Sequence, residues 1–66
     1  MNIRVYVIEV ISYNPYGTKL SQEGFYTLEA AQDWCRKKPE IKEELQNGWR
    51  FIGNDCEYWI HDVLVR

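Results

Sequence analysis

The chain has 66 residues and a formal net charge of −2. That is room for one small domain over residues 1–66, and too mild a charge for a nucleic-acid mimic or for general attraction to DNA or an anionic membrane. No run approaches the roughly 18 apolar residues of a membrane span. The opening Met1-Asn2-Ile3-Arg4 lacks the apolar stretch and cleavage site of a signal peptide. Two cysteines, Cys35 and Cys56, are too few for a disulfide framework, so reduced thiols in a cytoplasmic setting are expected.

Taken in chain order, residues Ile3 to Tyr13 are rich in β-branched and aromatic side chains and predict a long first strand. Ile3, Val5, Val7, Glu9, Ile11 and Tyr13 would share one face, with Arg4, Tyr6, Ile8, Val10 and Ser12 on the other. Both faces are largely apolar, which predicts a central strand or one whose second face meets something. Asn14-Pro15-Tyr16-Gly17 has the chemistry of a turn. Thr18 to Tyr26 returns as a polar edge strand, with a bulge at Gly24.

The helix comes next, from Leu28 to Lys37. Thr27 suits an N-cap and Glu29 the positive end of the helix dipole. At 100° per residue, Leu28, Ala30, Ala31, Trp34 and Cys35 fall on one arc, and Leu28, Ala31, Trp34 and Cys35 are expected to pack on the sheet. Arg36, Lys37 and Lys38 favour the C-terminal end, and Pro39 closes it. Pro39 also suits the first position of a short second helix, Glu40 to Leu45, anchored by Ile41 and Leu45 and stopped by Asn47-Gly48. Trp49 to Ile52 reads as a short strand, Gly53-Asn54-Asp55 as a turn, and Glu57 to Val65 as the last strand. The expected fold is α+β: a four-stranded antiparallel sheet in the order β-β-α-(α)-β-β, with both helices on one face. Placing the first and last strands side by side would centre the two most apolar ones.

Chemistry-bearing motifs are sparse. His61 is the one histidine, and its neighbour Asp62 points to the opposite face of a strand. Cys35, Cys56 and His61 have no recognised zinc spacing, and there is no phosphate loop, nucleophile elbow or paired-carboxylate motif. Neither an enzyme nor a bound metal or cofactor is expected. The aromatic content, two Phe, five Tyr and three Trp, exceeds what one short helix can cover on a two-faced sheet. Tyr and Trp are enriched at interface hot spots, and an uncovered apolar face marks self-association or a partner site. Tyr6, Tyr13, Tyr16, Trp49 and Trp59 are therefore the candidate partner-binding residues, with a protein as the partner and a homodimer as one form of the contact. The alternative is a single-strand nucleic-acid binder using Arg36, Lys37, Lys38 and Arg50 beside an aromatic ring. Against it, Glu40, Glu43 and Glu44 stand next to the basic cluster.

Three segments together carry a resemblance: Val5-Tyr6-Val7-Ile8, Phe25-Tyr26-Thr27-Leu28-Glu29-Ala30-Ala31, and Tyr58-Trp59-Ile60 with Val63. In this the chain resembles small phage and prophage proteins of unknown function with a β-β-α-β-β pattern. The resemblance implies a phage accessory protein that binds, and modulates or inhibits, a host or defence protein. It assigns no functional residue, and neither the tyrosine-bearing turn nor the segment after Pro39 belongs to the shared pattern.

Overall fold

The structure, a computed structural model, describes residues 2–65. Met1 and Arg66, the ends of the expected domain, lie outside the described residues. Five strands form a single antiparallel sheet: β1 (Ile3–Tyr13), β2 (Tyr16–Leu20), β3 (Ile41–Leu45), β4 (Arg50–Gly53) and β5 (Cys56–Val65). They lie in the order β2-β1-β5-β4-β3, and one helix, α1 (Leu28–Arg36), packs on one face. The α+β class and the antiparallel sheet hold; the sheet has five strands where four were expected.

The two most apolar strands are neighbours. β1 and β5 pair from Ile3↔Val65 to Ser12↔Cys56 in unbroken register. Side chains directly opposite each other in an antiparallel pair share a face, so Ile8 with Ile60 and Val10 with Tyr58 face the helix. Phe51 of β4, opposite Tyr58, joins them. Ile8, Ala31, Cys35 and Phe51 are completely buried, and Tyr58 and Ile60 nearly so.

The helix forms where its local chemistry places it. Thr27, in extended conformation, accepts the Ala30 N–H on its hydroxyl at 3.1 Å. Lys37 caps the other end, its N–H bonded to Asp33, and Pro39 follows. Ala31 and Cys35 are the inward residues, small enough to let the helix lie close to the sheet, with Leu28 and Trp34 flanking them. Ala30, placed on the same arc by its angle, is exposed. The fully buried stripe is Ala31 and Cys35 alone, narrower than the arc drawn from the sequence.

Three expectations need correction. β2 starts at Tyr16 and stops at Leu20, leaving Asn14-Pro15 as the turn and Ser21 to Gly24 outside regular pairing. That segment still follows β1, through Ser21 N–H to the Ile8 carbonyl (2.7 Å) and a reciprocal Tyr6–Phe25 pair (2.7 and 2.9 Å). Gly24 permits this route, because a Cβ there would stand 2.8 Å from a Val5 methyl. Second, the last strand begins at Cys56 and β4 at Arg50, one residue away from the expected limits.

Third, the expected second helix is strand β3. Ile41 and Leu45 have helical spacing, but a six-residue helix with two anchors is too short to hold itself together. A bulge between Ile41 and Glu43 instead turns Ile41 toward the core and leaves Leu45, opposite Arg50, on the other face. Pairing with β4 then satisfies backbone groups that would otherwise be an open edge. Gln46, Asn47 and Gly48, all with positive φ (53°, 57° and 88°), form a 3-10 turn joining the two strands. The helix-stop chemistry of Asn47-Gly48 is the turn chemistry of this connection.

Phe51 is the central core residue, whereas Trp34 is half-buried between Phe25 and Tyr58. Phe51→Ala is expected to lose about 3–5 kcal/mol and Trp34→Ala clearly less. Urea unfolding of the two variants checks the order; equal losses would contradict this placement of the core.

Candidate functional site

The helix covers one face of the sheet, and no element among the described residues covers the other. Alternation and register assign that open face its side chains. At one end lie Ile3, Val5, Val7, Val63 and Val65. Across the middle run Leu20, Glu9, Trp59, Arg50 and Leu45. Thr18, Ile11, Glu57 and Ile52 come next, and Tyr16 with Tyr13 closes the far end. Tyr16 is 72% and Leu20 61% exposed, while Ile3, Tyr13, Val63 and Val65 are each more than two-fifths exposed.

A polar network sits within this apolar surface, centred on Glu57. Its carboxylate side chain is 12% exposed. It accepts from the Tyr13 hydroxyl, from Arg50 Nε at 2.7 Å and Nη2 at 2.6 Å, and from Trp59 Nε1 at 3.1 Å. The Arg50 guanidinium also lies 4.6 Å above the Trp59 ring, a cation–π arrangement. Beside it, His61 Nε2 and Glu9 Oε1 are 2.9 Å apart. A carboxylate with this many donors is satisfied, and the network locks Trp59 and Tyr13 in place instead of leaving a reactive group free.

The structure separates the five expected partner-binding aromatics into two sets. Tyr13, Tyr16 and Trp59 lie on the open face, the two tyrosine rings 6.2 Å apart. Tyr6 and Trp49 pack on each other at 6.1 Å on the helix side, half-buried against the core. Missed from sequence were Glu57, Leu20 and the Ile3–Val63–Val65 patch. Glu57 has the strand parity of Trp59 and His61, which was a usable signal, but its partners depend on cross-strand register.

The basic residues do not form one surface. Arg36 is engaged by Glu44 through two bonds (2.9 and 2.8 Å) and stands 3.8 Å from Asp33. That hydrogen bond to Arg36 holds the Glu44 carboxyl below its ordinary range. Lys38 lies 4.1 Å over the Trp34 ring, Lys37 is exposed, and Arg50 is on the opposite face of the sheet.

Both cysteines are free thiols on the helix side, whereas His61, opposite Val7, is on the open face. The sheet separates the histidine from both sulfurs. Burial pushes the Cys35 thiol up to about 12, against a smaller opposing pull from Lys38 and Arg36. Burial also raises Cys56. Comparison of the chain with protein-family models, curated proteins and solved structures finds no match.

The Cys35 shift has a consequence for alkaline stability. A thiol whose folded value is raised contributes stability that is fully present below its unfolded value, near 9, and lost as pH climbs toward about 12. Tyr58 acts in the same direction, raised by burial and by its bond to Glu40. Urea midpoints should therefore fall between pH 8 and pH 10.5, and Cys35→Ala should show a smaller fall. At pH 8 the native Cys35 should also resist a thiol reagent that labels both cysteines after unfolding. Rapid native labelling of Cys35 would contradict its burial.

Proposed function

We propose that this is a small non-enzymatic protein-binding module whose helix-free sheet face is the contact surface. The observation that carries the reading is one face bearing Ile3, Leu20, Val63, Val65, Tyr13 and Tyr16, all substantially exposed. Exposed apolar side chains gathered at both ends of one face, with a polar network between them, are the composition of an interaction surface. Trp59 and Tyr13, held by Glu57 and Arg50, are ring systems already ordered before a partner arrives, which lowers the entropy lost on binding. Arg50 with Glu57 and Glu9 with His61 are paired within the face. Such a surface suits a protein partner better than a polyanion. The resemblance to phage and prophage proteins makes a host or defence protein, modulated or inhibited by the contact, the proposed class of partner.

The alternative nucleic-acid reading has less support, because Arg36 is tied to Glu44 and Arg50 lies on the face opposite α1. The two readings separate in a capture experiment from bacterial lysate with and without nuclease. A protein should be retained through nuclease treatment and across 50–200 mM salt, a range in which phosphate contacts weaken steeply. Val63→Lys should release it while altering stability by no more than about 1 kcal/mol. Nuclease-sensitive, salt-labile capture unaffected by Val63→Lys would reverse the choice in favour of nucleic acid.

A further inference from the structure

The sheet has two outer edges, and they differ. β3 carries a bulge and the charged run Lys42-Glu43-Glu44, the features that block added strands. β2 carries neither. Its outward backbone groups follow from the ladder. Ser21 N–H reaches the Ile8 carbonyl, while the Tyr13 N–H turns away from β2 to Asp55. By alternation, Val10–Lys19 and Ser12–Gly17 are the hydrogen-bonded pairs of β1 and β2. The N–H and C=O groups of Tyr16, Thr18 and Leu20 therefore point out of the sheet, and every β2 residue is exposed.

Above this edge, on the helix side, a cleft of about 640 Å³ opens between β2, the segment Ser21–Glu23 and the end of the helix. Its walls include Val10, Trp34 and Tyr58, with Lys19 and Lys38 beside them. Neither lysine makes an ion pair among the described residues, and Glu23 is the one acidic residue at the cleft. Lys19 shares its face with Val10. A strand added along β2 would set the side chain opposite Lys19 on that same face, at the mouth of the cleft. Its neighbours in sequence would fall on the open face opposite Leu20 and Thr18, and the residue three positions on would face Tyr16.

We propose that β2 is a docking edge for an extended acidic–apolar segment of the partner protein, which extends the sheet by one antiparallel strand. Main-chain bonds to Tyr16, Thr18 and Leu20 supply the pairing. A carboxylate opposite Lys19, at the cleft that Lys38 also lines, fixes the register. An apolar residue beside it covers Leu20 and another, three positions away on its other side, covers Tyr16. A second copy is a poorer occupant, because two β2 edges would bring two Lys19 side chains onto one face. This inference rests on the protein-binding reading and names where, and with what chemistry, the partner is held.

The probe is a display library of randomised twelve-residue peptides. Enriched peptides should share one acidic residue with an apolar residue beside it and a second apolar residue three positions away on its other side. Lys19→Glu should weaken them at least about tenfold, and exchanging their acidic residue for lysine should restore binding to that variant. Thr18→Pro removes an outward N–H without touching the β1–β2 ladder, so the protein should stay folded and binding should be lost. Failure of the library to enrich, or peptides indifferent to Thr18→Pro, would overturn the proposal. So would a dimer that Thr18→Pro dissolves, since the edge would then belong to a second copy. A lysate protein released by Val63→Lys but retained by Thr18→Pro would overturn the edge alone and leave the open-face reading standing.

Discussion

The pairing of β1 with β5 is the constraint on which the remaining structure depends. Both strands are apolar on both faces, so a register slip of one residue would exchange their core and open sides. Charge breaks the tie. Glu9 and Glu57 have the parity of Val7 and Trp59, and a carboxylate under the helix would need partners that Ala31 and Cys35 cannot offer. On the open face they find His61, Arg50, Tyr13 and Trp59. Over the stretch that the helix covers, the face that satisfies Glu9 and Glu57 becomes the outer one, and Ile8, Ile60 and Phe51 go beneath the helix. Asp62 stays exposed on the helix side, 3.7 Å from Arg4.

That choice leaves the small helix a defined task. Ala31 and Cys35 approach the sheet closely, and Leu28 and Trp34 fill the sides. Gln32 donates to the Asn47 and Gly48 carbonyls (3.3 and 3.2 Å), which ties the helix to the β3–β4 turn. Arg36 reaches Glu44 of β3 beyond it. One helix therefore touches the sheet from β1 to β3 but leaves β2 exposed on every residue. The uncovered edge and the open face are consequences of the same shortage of covering elements.

Local signals carried much of the fold. Thr27, Glu29 and Pro39 bracket the helix because capping and dipole effects act within one turn, and the two long strands follow from their β-branched content. The two-faced character of β1 led correctly to an uncovered face. What was not legible depended on pairing between distant segments. Ile41-Lys42-Glu43-Glu44-Leu45 satisfies a helical spacing, and nothing within it reveals that β4 offers an edge and that a bulge reconciles Ile41 with the core. Tyr6 and Trp49 were grouped with Tyr13, Tyr16 and Trp59 as aromatics alone. Their assignment to the helix side comes from the register of β1 and from the route of the chain into β4. Glu57 illustrates the same limit, since its partners come from positions 13, 50 and 59 and converge only when three strands are aligned.

The sheet has one covered and one open apolar face, and solvent accessibility of its methyl groups measures this directly. In a dilute methyl-labelled sample, a soluble gadolinium chelate should strongly relax the methyls of Ile3, Leu20, Val63 and Val65. Those of Ile8 and Ile60 should be nearly untouched, in keeping with their burial at 0% and 5%. Protection of Val63 and Val65 equal to that of Ile8, or strong relaxation of Ile8 and Ile60, would contradict the assignment of the two faces.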